Sequence, residues 1–78
     1  MRKATLSKFE ARAEVSGAVR KIVAKVGDRV EAGNPVIYLE CMKMEIPVIV
    51  DDGGTVREVM VAENDLVEQG QVVAILED

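Results

Sequence analysis

The 78-residue sequence contains no histidine, no tryptophan, one cysteine, one phenylalanine and one tyrosine. Without histidine there is no Cys/His metal set and no Cys-His or Ser-His nucleophile pair, and the lone Cys41 cannot close an internal disulfide. With so few rings, the core must be assembled from many aliphatic side chains, chiefly valine, and valine favours strands. No segment approaches the ~20 apolar residues of a membrane-spanning helix, and MRKATLSKFEARAEV lacks an apolar stretch long enough for a secretory signal. The expected location is therefore cytoplasmic. An excess of positive charge is missing too. Ten basic against fourteen acidic residues leave a net charge of −4, which argues against nucleic acid or an anionic membrane as the partner. The length allows one small domain and no second lobe to close over a substrate.

What the sequence does contain is an internal duplication. A shift of 37 positions lays Gly17–Glu40 over Gly54–Glu77 with ten of 24 pairs identical, among them Gly17/Gly54, Val19/Val56, Arg20/Arg57, Asp28/Asp65, Leu39/Leu76 and Glu40/Glu77. Turn residues repeat with the core, since Gly27-Asp28 returns as Asn64-Asp65 and Ala32-Gly33-Asn34 as Gln69-Gly70-Gln71. The same shift maps Phe9, Ala11 and Ala13 onto Ile46, Val48 and Val50, adding one more strand in the same inward phase.

FEARAEV, residues 9–15, alternates apolar and charged positions as a half-buried antiparallel strand does, with Ser16 and Gly17 ending it. VRKIVAKV and TVREVMV are second-strand counterparts. Short segments around Val30 and Val67, then PVIYLE, QVVAILE and EIPVIV, complete about eight strands, with turns at AGN, DDGG, AEND and EQGQ. No segment keeps a helical period. The expected fold is all-β: two equivalent four-stranded halves closed face to face, burying every valine row. MRKATLSK, residues 1–8, carries no strong packing signal and is expected to be a flexible segment, leaving 9–78 as the folded domain.

The repeat breaks at Glu40-Cys41-Met42-Lys43-Met44-Glu45, between PVIYLE and EIPVIV. Placing Met42 and Lys43 at the centre of a two-residue hairpin makes Cys41 face Met44, Glu40 face Glu45 and Leu39 face Ile46. This register violates two local rules. Two-residue turns prefer Asn-Gly or similar, and two carboxylates facing across a ladder repel by about a few tenths of a kcal/mol. Such violations collect at functional sites. Taken singly, a tip lysine is ordinarily a solvated charge and methionines are gap-fillers. Their symmetric placement at the one join between the copies favours a different reading, in which the amine is presented on a rigid turn as another enzyme's substrate.

Glu-Cys-Met-Lys-Met-Glu, within a duplicated chain punctuated by Val and Gly, resembles the attachment site of biotinyl domains, whose hallmark is Ala-Met-Lys-Met or Ser-Met-Lys-Met. The resemblance runs from about residue 11 to residue 78, and is closest to small stand-alone biotin/lipoyl attachment proteins and to the biotin carboxyl carrier domains of acyl-CoA and pyruvate carboxylases. It implies a flattened β-barrel of two four-stranded antiparallel sheets with a pseudo-twofold axis. Lys43 would carry biotin covalently, with Met42 and Met44 used in recognition. Glu40 and Glu45 read equally as recognition elements for a basic ligase surface and as ordinary solubilising charges. Cys41 stands where the family usually has Ala or Ser, and reads as a small flanking residue.

The implied partners are a biotin protein ligase, a biotin carboxylase and a carboxyltransferase acting on an acyl-CoA or a 2-oxo acid. The chain itself would be a monomeric, non-catalytic carrier, with no base of its own to deprotonate the amine. Two alternatives belong to other classes. A lipoyl carrier domain would typically show Asp-Lys-Ala at the tip, and an unmodified barrel-sandwich module has no need for Met-Lys-Met.

Overall fold

The computed structural model describes residues 8–78. Their eight strands are β1 (Lys8–Arg12), β2 (Gly17–Ile22), β3 (Arg29–Val30), β4 (Pro35–Cys41), β5 (Met44–Ile49), β6 (Gly54–Val59), β7 (Leu66–Val67) and β8 (Val72–Glu77). Two four-stranded antiparallel sheets result, in the orders β1-β8-β6-β3 and β5-β4-β2-β7. The expected flexible segment lies outside the described residues except for Lys8, which opens β1 opposite Glu77.

The two sheets are not the two halves of the chain. The central pair β2 and β4 comes from the first copy and is flanked by β5 and β7 of the second, while β6 and β8 are flanked by β1 and β3. The 37-residue repeat therefore describes an interleaved pair. It extends to single hydrogen bonds: Val19 N–H donates to Asp65 O at 2.8 Å and Val56 N–H to Asp28 O at 2.9 Å, and Gly27 N–H and Asn64 N–H bond to Val56 O and Val19 O at 2.8 Å each. Asp28 and Asp65 each accept a backbone N–H three residues upstream, from Lys25 and Ala62, at 2.9 Å. Gly27 and Asn64 hold positive φ of 96° and 77°, the conformation that glycine and asparagine reach most easily among natural residues.

Strand ends depart from the alternation, because hydrogen-bond partners change there. Burial alternates through Val15, but β1 stops at Arg12 after a register shift, since Ala13 donates to Gln71 O at 2.9 Å and accepts from Gly70 at 2.7 Å. Gly17 begins β2 rather than ending the strand before it. β2 ends at Ile22 because Val23 and Ala24 both donate to Val36 O, at 2.9 and 3.2 Å, leaving no ladder to continue. Not every valine is buried: Val26, beyond that point, is 64% exposed.

Between the sheets lies one aliphatic cluster including Val19, Val36, Ile37, Leu39, Val48, Val56, Val73 and Leu76, with Phe9 packed against it. Leu39 and Leu76 are repeat mates and both are 0% exposed. Leu39→Ala and Leu76→Ala should each cost about 2–5 kcal/mol of stability in denaturant titrations, with similar values for the pair. At Gly17, an added Cβ would lie 2.4 Å from the carbonyl oxygen of Glu40. Gly17→Ala should accordingly lower stability by about 1–3 kcal/mol, read from the same titrations.

Candidate functional site

Only Met42 and Lys43 join β4 to β5, and the register on the two arms pairs Cys41 with Met44, Glu40 with Glu45 and Leu39 with Ile46. The alternation of the arms dictates this pairing, because a slip of one residue would turn the inward-facing Leu39 and Val48 to solvent. Met42 and Lys43 both hold positive φ, 52° and 67°. That is the sign pattern of a type I′ turn, whose twist suits a two-residue hairpin but which glycine and asparagine enter more easily. Ordinary L-residues bear roughly 1–2 kcal/mol of strain each in this conformation. The six-pair β4–β5 ladder holds them in it.

The consequence is a projecting tip. Lys43 is exposed, and Met42 and Met44 are 89% and 64% exposed, so these methionines are not gap-fillers of the core. Lys43 forms no ion pair among the described residues, which leaves its amine available to an incoming reagent. Two clefts, of about 350 Å³ and about 330 Å³, are lined by residues 9–14 with 49–52 and by residues between 23 and 35. Neither includes a tip residue. The site is a projection and not a cleft.

Glu40 and Glu45 do face each other, and a side chain not singled out from sequence relieves part of their repulsion. Arg20 Nη1 lies 3.5 Å from Glu40 Oε1. The pair recurs in the other copy as Arg57 and Glu77, at 3.2 Å. Both members stand among the identical positions of the repeat, which was the available signal. At this exposure such a bridge contributes at most about 1 kcal/mol. Glu40 thus has a place in the scaffold, whereas Glu45 is exposed and without an ion pair among the described residues. Gly17 is the second unforeseen contributor, since its missing side chain lets β2 lie against the β4 backbone at Glu40. Cys41 is half-buried and free, at the base of the tip opposite Met44.

Comparison with known proteins agrees with this geometry. The model of the biotin/lipoyl family, described as biotin-requiring enzyme, matches residues 8–76. A biotin/lipoyl attachment protein of Bacillus subtilis (strain 168) is 43% identical over 60 residues, covering 77% of this chain and 82% of the relative. A biotinylated protein TB7.3 homolog of Mycobacterium leprae (strain TN) is 36% identical over 67 residues, covering 86% and 94%. Among solved structures, the urea carboxylase of Kluyveromyces lactis superposes with a TM-score of 0.85 at 36% identity, over 96% of this chain and 7% of that one. By family match, identity and fold together, the chain belongs to the biotin/lipoyl attachment family and is a biotin carboxyl carrier-like domain.

Proposed function

We propose that this chain is a biotin carboxyl carrier whose acceptor is Lys43 and whose partners are a biotin protein ligase, a biotin carboxylase and a carboxyltransferase acting on an acyl-CoA or a 2-oxo acid. The observation that carries the reading is an amine in no ion pair among the described residues, at the centre of a strained two-residue turn and flanked by two exposed methionines. The residues fit the group: an amide needs only a reachable primary amine, and the two-residue turn presents one that is exposed and in no ion pair among the described residues.

Lys43 reacts once. Its neutral amine attacks the acyl carbon of a ligase-bound acyl adenylate, the amide C–N bond forms, the bond to the phosphate oxygen breaks, and AMP leaves. Forming the amide releases one N–H proton from the amine, and that proton must go to the ligase or to water. Acylation removes the lysine's charge. When bound, biotin supplies a ureido nitrogen that takes up a carboxyl group and gives it up again. The protein's part thereafter is mechanical: β4 and β5 hold the attachment point away from the core, and the four-carbon lysine stem lets it swing. Met42 and Met44 offer flexible apolar contacts to successive partners. The chain is substrate and carrier rather than catalyst.

Co-expression with a biotin protein ligase should give one biotinyl adduct by intact mass and a positive avidin blot. Lys43→Arg should abolish both, leaving Lys3, Lys8, Lys21 and Lys25 unlabelled. A lipoyl adduct, or label on another lysine, would refute the assignment. Replacing Met42-Lys43 with Asn-Gly should stabilise the fold by about 1–2 kcal/mol by relieving the turn, while eliminating the acceptor. A thermal melt and an avidin blot of the same preparation read both effects.

A further inference from the structure

The pseudo-twofold supplies an internal control for the surface around Lys43. One row of cross-strand partners crosses each sheet at equivalent positions. Next to the tip it reads Glu45, Glu40, Ala18, Leu66 across β5, β4, β2 and β7. Next to the chain end it reads Lys8, Glu77, Thr55, Arg29 across β1, β8, β6 and β3. Both rows lie on outer faces, because Leu39, Val19 and Val67, beside the first, and Leu76, Val56 and Val30, beside the second, are buried.

The rows keep the central Glu and change at both edges. Lys8 faces Glu77 with opposite charge, whereas Glu45 faces Glu40 with the same charge. Arg29, which pairs with Glu31 at 3.5 Å, is replaced by Leu66, which is 81% exposed. A single exposed leucine is ordinary on a protein surface. This one shares its end of the molecule with exposed Met42 and Met44 and with Glu45, which is in no ion pair among the described residues, and the fold does not require it, since the same backbone position accommodates arginine in the other copy.

The reach of the reaction says which partner meets this row. An extended lysine side chain carries Nζ only about 6 Å from Cα. An enzyme acylating Lys43 must therefore press against the tip, whereas the enzymes that use the lengthened, acylated side chain can stand off. A standard interface covers about 800 Å² per partner, roughly a 16 Å radius. Leu66 lies about 7 Å along the sheet from the tip and about 12 Å to one side, since β7 is two strands from β4 and three from β5, inside that footprint.

We propose that the row Glu45, Glu40, Ala18, Leu66 lies in the surface a biotin protein ligase covers during transfer, with Leu66 entering an apolar hollow and Glu45 facing a cation of the ligase. This rests on Lys43 being the acceptor. The test is the rate of biotin transfer to the full chain by purified ligase with biotin and ATP. Leu66→Arg, which copies the residue of the other row, should lower kcat/KM roughly tenfold, mainly through KM, as should Glu45→Lys. Leu66→Met should retain wild-type efficiency, and Arg29→Leu, the mirror change at the far row, should leave it unaltered. Melting temperatures check folding, and Leu66→Gln replaces Leu66→Arg if the latter melts early. Wild-type efficiency in folded Leu66→Arg or Leu66→Gln would overturn the inference while leaving Lys43 as acceptor. An unlabelled wild-type chain would instead sink the reading beneath it.

Discussion

Each half of this chain lacks the edge strands needed to complete its own sheet. β2 and β4 sit at the centre of one sheet and take their flanks from β5 and β7, while β6 and β8 take theirs from β1 and β3. The hydrogen bonds that close one half are thus donated by the other, as the reciprocal bonds of Val19 with Asp65 and Asn64, and of Val56 with Asp28 and Gly27, show. Reciprocity lets a small core of alanine, valine, leucine and isoleucine, without a tryptophan, be closed from both sides. It also makes the framework stiff enough to hold Met42 and Lys43 in a conformation that neither prefers.

The tip is where that stiffness is put to use. A type I′ hairpin built from Met and Lys gives up stability that Asn-Gly would retain, and it places a primary amine and two thioethers at the extremity of a long ladder. The charge around it is arranged in two layers. Glu40 belongs with Arg20 to an element the repeat uses twice, and Glu45 has no such counterpart, since its mate is Lys8. The identical pairs Arg20/Arg57 and Glu40/Glu77 form the same bridge in both copies, whereas Glu45 and Lys8 differ in charge at equivalent edge positions.

Much of this was legible in the residue order. The 37-residue period set strand number and turn positions, and the alternation on both sides of Met42-Lys43 set the hairpin register, because period two tolerates only even slips when one face is buried. Strand ends were less legible. They depend on where Ala13 and Val36 find hydrogen-bond partners, and those partners are 58 and about a dozen residues away. Arg20 and Gly17 escaped notice as supports of the tip because their role depends on a cross-strand neighbour in space.

By itself, the order of amino acids determined an all-strand duplicated chain with a Met-Lys-Met join and inward-facing Leu39 and Leu76, since composition and periodicity act locally. Only tertiary structure decided that the copies interleave, because a repeat has the same period whether its halves pair within themselves or with each other. It decided as well that Leu66 and Glu45 share one outer row with Glu40, a relation created by strand order β5-β4-β2-β7 and invisible along a chain where 21 residues separate them.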